Sequence, residues 1–273
     1  MPVAQAPTGH RPDTAGTVSV PTSTIGASTT RPSPIAVDLG SGQLRIRLGS
    51  HEPVRTLVGD RSARRCPVVR RGRIIDGPEC AAALAELLRQ HHVEVPARPL
   101  VVVCRPLLAT AADQDMIRRV LDAVFAPARL LFVDTVRAAA IGAGAGAGTL
   151  LVADVGAQLS EVAILRDSQV IAGRRANLGT CDLAHGATVE MLADTVTRLV
   201  RELTQGPRAV PSAATAMARG MVIVGDGATR PDLRDRLAAT MGIAVHRAAG
   251  PRTAALTGAS LAAAAAARHP AGD

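Results

Sequence analysis

LLVADVGAQLSEVAIL, residues 150–165, is an apolar run that ends on Asp154 and Gly156, passes through a short polar turn and resumes as a second apolar run. Two such runs around an Asp-x-Gly turn predict a β-hairpin. The same outline occurs earlier in the chain. IAVDLGSGQLRIRL (residues 35–48) aligns with it, Asp38 on Asp154 and Gly40 on Gly156. This self-similarity predicts two related lobes, each presenting one Asp-x-Gly turn.

An Asp at a strand end that faces a second Asp across a cleft can hold a hydrated Mg²⁺, which takes few protein ligands and keeps its waters. Beside Asp38, Gly40, Ser41 and Gly42 offer backbone N–H groups to phosphate oxygens, and Gln43 adds a donor. The later turn has Ala157, Gln158 and Leu159 where glycines would be wanted. Asp-x-Gly also occurs in plain β-turns, so either motif alone fits that bland reading. A third candidate lies in MVIVGDGATRPDLRDRLAATMGIAV (residues 221–245). There Gly225, Asp226 and Gly227 sit between a buried strand and a helix, where backbone can approach a flat ligand.

Composition narrows the choices. The 273 residues include two Phe and no Trp or Tyr, so the core must be built from Ala, Val, Leu and Ile. All 31 basic residues are arginine, which excludes a P-loop and its phosphate-binding lysine. A net charge of +8 is compatible with nucleic acid. The arginines are scattered, however, and no aromatics are present for base stacking, so a solvated basic face is the better reading. Cys66, Cys80, Cys104 and Cys181 have no C-x-x-C spacing and read as reduced, mostly buried thiols of a cytoplasmic protein. The pair His91–His92 reads as a surface loop. The C-terminal Ala-rich run falls short of the ~20 apolar residues of a membrane span, although peripheral contact stays open.

Residues 1–34 are rich in Pro, Thr and Ser without periodicity and read as a disordered tail. Beyond it, helices are expected at Pro78–Gln90 (apolar at Ala82, Leu84, Leu87 and Leu88), Ala111–Phe125, Gly186–Leu203 and Pro231–Met241, and at the C-terminal end. Buried strands are expected at Leu100–Pro106, near 128–134 and at 221–225. Strands alternating with helices make this an α/β chain with substantially parallel sheet.

The three turns, in this order, resemble the nucleotide site of the actin-like ATPase superfamily, which includes actin, the heat-shock chaperone ATPase domains and sugar kinases. The resemblance is strongest to the bacterial MreB family. It covers most of residues 35–265 and includes the connecting segments CPVVRRGRIIDG, VRAAAIGAGAG and GPRTAALTGASLA. It implies an actin-like ATPase fold of two related lobes, each a mixed sheet flanked by helices, with the small outer subdomains reduced. Lobe I would comprise residues 35–140 plus 251–268, and lobe II residues 141–250. It further implies ATP and Mg²⁺ as cofactors. Asp38 and Asp154 would hold the metal through water, and Asp38, Gly40, Ser41, Gly42, Gln43, Gly156, Ser160, Gly225, Asp226 and Gly227 would line the nucleotide.

Departures from the family pattern point to a worn site. Its second motif, Asp-x-Gly-Gly-Gly-Thr-Thr, is met here only at Asp154, Gly156 and Ser160. If Ala157 or Gln158 adopted left-handed backbone, each would cost roughly 1–2 kcal/mol, and their side chains would crowd the γ-phosphate. The family's catalytic Glu, which orients the attacking water, aligns with Thr135. A hydroxyl is no general base at neutral pH, and losing that role typically costs ~10²–10⁴ in rate. Asp134, one residue away, would project differently. The expectation is a cytoplasmic, MreB-like cell-shape or cytoskeletal protein that binds ATP, hydrolyses it slowly at most, and associates with itself or with cell-shape machinery. The alternative is a degenerate scaffold that keeps the fold for protein contacts. A sugar-kinase-like phosphotransferase is weaker, because no further Asp sits in a substrate-activating motif.

Overall fold

The computed structural model describes residues 33–49, 68–145, 147–205 and 209–268, together with the backbone of 55–59. Residues 1–32 of the expected tail, and Cys66, lie outside the described residues. The first half runs β1 (Ile35–Leu39), β2 (Leu44–Leu48), β3 (Arg55–Gly59), the short pair β4 (Val69–Arg70) and β5 (Arg73–Ile74), α1 (Gly77–Gln90), β6 (Leu100–Arg105), α2 (Ala111–Phe125), β7 (Arg129–Asp134) and α3 (Thr135–Gly142). The second half runs β8 (Thr149–Val155), β9 (Ser160–Arg166), β10 (Gln169–Ala176), α4 (Val189–Thr204), α5 (Ala213–Ala218), β11 (Met221–Val224), α6 (Pro231–Met241), β12 (Val245–Arg247) and α7 (Ala254–Arg268). Single 3₁₀ turns stand at Thr180–His185 and Gly227–Thr229.

The two halves have one topology. The first sheet is ordered β3-β2-β1-β6-β7 and the second β10-β9-β8-β11-β12. In each, two antiparallel hairpin steps are followed by two parallel strands. Alternation along the strands sets which layer each side chain enters. Ile35, Val37, Val101 and Val103 face α1 and α2, whose Leu84, Leu87, Val120 and Leu121 close the first outer core. Leu151, Ala153, Val162 and Ile164 face α4 and α6 in the second outer core. Ala36, Val102, Val152, Ala163 and Leu165 face inward, onto α3 and α7 between the sheets.

That middle layer explains the Ala-rich, aromatic-poor composition. Ala138, Ala139, Ala140, Ala254, Ala255 and Ala259 form the contact between α3 and α7. A Cβ on Gly142 would overlap the Ala254 carbonyl, and a Cβ on Gly258 would overlap the Ala138 carbonyl. The crossing is thus reciprocal: each helix places its glycine against the residue four positions earlier in the other's repeat, AAAIG against AALTG.

Local signals place the helix starts. Asp76 accepts a bond from Glu79 N ahead of Pro78, and Thr110 with Asp113 forms a capping box. Thr188 caps α4 through Met191 N, which starts that helix at Val189 rather than at Gly186. Three expectations need correcting. Ala82 is exposed while Cys80 and Ala83 are buried, so the buried stripe of α1 is turned from the expected one. Cys181 is exposed at the first turn after Gly179. β10 and α5 also stand where no element was expected. β10 is an edge strand whose apolar alternation is broken by Gly173, Arg174, Arg175 and a shift in register between Val170 and Ala172. Among the described residues no helix is long and apolar enough to cross a membrane.

Candidate functional site

Strand parity puts four charged groups into the middle layer. Asp38 continues the inward face of Ala36, and Asp154 that of Val152. The hairpin register then places Arg45 opposite Asp38 and Glu161 opposite Asp154. All four line one small cavity of about 100 Å³, with Cys104 and Thr135 in its wall. Arg45 Nη1 donates to Asp38 Oδ2 at 3.1 Å and Nη2 donates to Gln43 Oε1 at 2.7 Å. Both members of the ion pair are buried, each 9% exposed. Glu161 accepts a short hydrogen bond from Leu107 N and is 3% exposed.

The electrostatics follow from a buried arginine, Arg45, among several buried acids. Burial, then the charges of Asp38 and Asp226, lifts the Asp154 carboxyl from its ordinary 3.8 to about 7, with Arg45 pulling the other way. Burial also raises Asp38, against the opposing pull of Arg45. Glu161 is pushed well above the usual carboxylate range by burial, with the Asp154 charge adding to the effect. Burial likewise pushes the Cys104 thiol up.

The two turns meet across the cleft. A Cβ on Gly40 would come within 2.9 Å of Gln43 O, and one on Gly156 within 3.2 Å of Leu159 O, so both glycines serve the tightness of their own turns. Gly156 N donates to Leu159 O at 2.9 Å. Neither Ala157 nor Gln158 has a positive φ, so the left-handed strain anticipated from the sequence is not incurred. Crowding comes from the side chain instead: a Cβ on Gly42 would lie 2.9 Å from Ala157 Cβ, which closes the turns onto each other. The backbone of the second turn is held from behind by Thr180 N on Gly156 O (3.0 Å) and Cys181 N on Ala157 O (2.7 Å).

Of the residues singled out from the sequence, Asp38, Gly40, Ser41, Gly42, Gln43, Thr135, Asp154, Gly156, Gly225 and Asp226 line the cavity. Gly225, at φ +80°, lies against Asp154, whose carboxyl a Cβ there would strike. Two others are turned away. Ser160 is fully buried and donates its hydroxyl to Leu178 O at 2.7 Å. Gly227 is a packing glycine: a Cβ there would come within 2.5 Å of Val155. Ser41 is present but engaged, accepting from Gly72 N at 3.2 Å.

At the strand end that leads into α3, Thr135 Oγ1 donates to Arg105 O at 3.0 Å. Asp134 is held by Arg105 Nε at 2.9 Å. Both side chains of this strand end are therefore engaged by Arg105. Outside the closed turns lies a wider cleft of about 510 Å³, lined by Gly42, Gln43, Ala157, Thr180, Asp226, Thr229, Arg230 and Arg252. This lies within the 300–1,000 Å³ range of small-molecule sites. Arg252 Nε bonds Asp226 Oδ1 at 3.0 Å on its wall.

A strap crosses the two turns. The tip of the β4–β5 hairpin carries Arg71, whose guanidinium binds Asp182 at 2.8 and 3.1 Å and Gln158 O at 3.1 Å, and also contacts Asn177 O. Its backbone N–H meets Gln158 Oε1 at 3.2 Å.

Arg45, Glu161, Arg71 and Arg252 were missed by the sequence reasoning. The first two were findable, because in a hairpin this tight the residue seven positions after each Asp is its cross-strand partner. The two aspartates expected to hold a hydrated Mg²⁺ both line the cavity, Asp38 already in an ion pair and Asp154 without one among the described residues. Among the described residues no three His, Cys, Asp or Glu side chains form a group that could hold a metal ion.

No curated protein sequence matches the chain. Solved structures do match in fold. MreB5 of Spiroplasma citri bound to AMPPNP superposes with a TM-score of 0.73 at 14% identity, over 85% of this chain and 96% of that one. The ethanolamine utilization protein EutJ from Carboxydothermus hydrogenoformans gives 0.63 at 16% identity, over 84% and 89%. A chain of the PilM–PilN type IV pilus biogenesis complex gives 0.62 at 15% identity, over 85% and 99%. These likenesses establish the actin-like ATPase fold. The sequence model of the MreB/Mbl protein family matches residues 15–185, more than half of the chain, and the protein therefore belongs to the MreB/Mbl family.

Proposed function

We propose that this MreB/Mbl-family protein is a cytoplasmic assembly protein whose interlobe cleft binds ATP or ADP and hydrolyses ATP very slowly or not at all. The observation that carries the reading is the state of the hydrolytic position. Thr135 donates to Arg105 O and Asp134 is held by Arg105, while Gly42, Gln43 and Asp226 still line an open cleft of about 510 Å³. Nucleotide would act as an occupancy signal between the lobes, read out by self-association or by contact with cell-shape machinery. MreB5 of Spiroplasma citri was solved with AMPPNP and with ADP, and PilM was solved with a protein partner, PilN, which supports both halves of this reading.

The contact between Gly42 and Ala157 favours a second reading, a scaffold whose cleft takes no nucleotide. Calorimetric titration with ADP and ATP separates the two, and sedimentation with and without nucleotide tests assembly. Saturable heat together with nucleotide-dependent sedimentation supports the first reading. No heat at millimolar nucleotide supports the scaffold, and a monomer under all conditions counts against assembly.

A further inference from the structure

Four carboxylates line the inner cavity, and three of them stand on strands: Asp38, Asp154 and Glu161. The fourth, Asp226, lies in the turn after β11, and among the described residues it alone also lines the wider cleft outside. It therefore stands at the boundary between the two spaces. Its side chain has no local structural role. Asp226 precedes the 3₁₀ turn Gly227–Thr229, yet it makes no side-chain capping bond, and Thr229 binds its backbone carbonyl instead. The carboxylate reaches away from its own turn. Oδ1 accepts from Nε of Arg252, in the turn before α7, at 3.0 Å, and Oδ2 lies 3.5 Å from where a Cβ on Gly42 would stand. The acid of the third turn is thus laid against the first turn, across the mouth of the cavity. Its charge reaches the cavity floor, where it adds to the burial that raises Asp38 and Asp154.

On the nucleotide reading, a phosphate chain runs from the wider cleft to the first turn, and a carboxylate is already there. Like charges at such a distance repel, and the repulsion grows with each charge that the ligand brings. Arg252 offsets part of it, but its side chain is 59% exposed, and water screens an ion pair of that kind. Its bond to Oδ1 also fixes the carboxylate in place. We infer that Asp226 is a specificity-determining residue of this cleft, a built-in anion at the entrance to the first turn that grades ligands by charge and favours a nucleoside diphosphate over a triphosphate. The inference rests on the nucleotide reading proposed above and adds to it a preference between ligands. Such a cleft takes its diphosphate ready-made and needs no hydrolysis to be loaded.

Calorimetric titration of the full-length protein with adenosine, ADP and ATP in one Mg²⁺ buffer tests this, beside Asp226→Asn, which keeps the shape and removes the charge. The unmodified protein is expected to bind ADP more tightly than ATP. In Asp226→Asn, ATP binding strengthens by about tenfold, ADP binding by less, and adenosine binding by less than about twofold. Asp226→Gly, which the backbone at φ −64° accommodates, should give the same gradient and shows that the new amide is not the cause. A gain equal for all three ligands, or weaker ATP binding in both variants, overturns the inference. If the unmodified protein binds ADP and ATP alike and neither variant changes this, the inference fails while the nucleotide reading stands. If the unmodified protein binds no nucleotide and the variants do, the nucleotide reading fails while the barrier at Asp226 stands. No heat from any ligand in any of the three proteins overturns both.

Discussion

The two hairpins of this molecule differ least where the fold needs them and most where chemistry would occur. β1–β2 and β8–β9 share strand register, inward-facing Asp and turn glycine: Asp38 and Gly40 in one, Asp154 and Gly156 in the other. Between them, Ser41 is matched by Ala157, Gly42 by Gln158, Gln43 by Leu159 and Arg45 by Glu161. The shared residues close a turn and present a carboxyl. The divergent ones set how closely the two turns approach and which charges they present to the cavity. A duplicated fold can therefore keep its architecture while one copy of its site loses polar donors and the other gains a cation.

The largest effect is expected at the helix crossing, where the two halves are equivalent. Gly258→Val drives a side chain into the Ala138 carbonyl, and a cost on the order of 4 kcal/mol or more is expected, visible as failure to fold or a collapsed denaturant midpoint. Gly142→Val makes the reciprocal clash and is expected to match it. A clear difference between the two would show that the crossing is less symmetric than the geometry states.

The two aspartates are expected to respond oppositely to the same substitution. Asp38→Asn strips the partner from the buried Arg45 and is expected to destabilise by about 3 kcal/mol. Asp154 has no such partner. Its carboxyl titrates near pH 7 in the folded protein and near its ordinary 3.8 when unfolded, so the folded state holds an extra proton between those values. The stability this contributes is full at acid pH and is lost as pH rises through about 7, a decline on the order of 2–3 kcal/mol between pH 5 and 8. Asp154→Asn should flatten that decline in urea titrations at the two pH values. An unchanged slope would place the pH dependence elsewhere.

How far these differences could be read from the sequence depended on range. The repeat of Asp-x-Gly with flanking apolar runs exposed the duplication, and α2 and α6 matched their expected bounds because Thr110–Asp113 and Pro231 mark their starts. β10 escaped because an edge strand bearing Gly173 and two arginines shows no apolar alternation. In the site, Asp38 and Asp154 were legible as turn residues. Arg45 and Glu161 were passed over, since their meaning lies in the cross-strand register that their seven-residue offset encodes rather than in the turn motif itself. The erosion at Ala157–Leu159 was visible, and side-chain crowding was part of the expectation. The conditional left-handed backbone is not adopted, and Ala157 crowds Gly42 of the facing turn.

The strap offers a smaller test of how the two turns are held. Arg71→Ala removes the paired contact with Asp182 and the bond to Gln158 O, and should cost about 1–2 kcal/mol, discounted for partial exposure. If the strap also restrains the second turn, hydrogen exchange of the Gly156–Ser160 amides will rise in this variant while that of Gly40–Leu44 changes less. Equal acceleration in both turns would indicate a general loosening instead.

The central claim is a cleft that retains nucleotide recognition without hydrolysis, and one experiment addresses it directly. ATP is titrated into the full-length protein by calorimetry, and released phosphate is measured on the same sample over hours, with Mg²⁺ and with EDTA. The account predicts saturable binding heat in Mg²⁺ and no phosphate above the background of ATP alone. Sustained phosphate release that requires Mg²⁺ and stops on adding EDTA would contradict it.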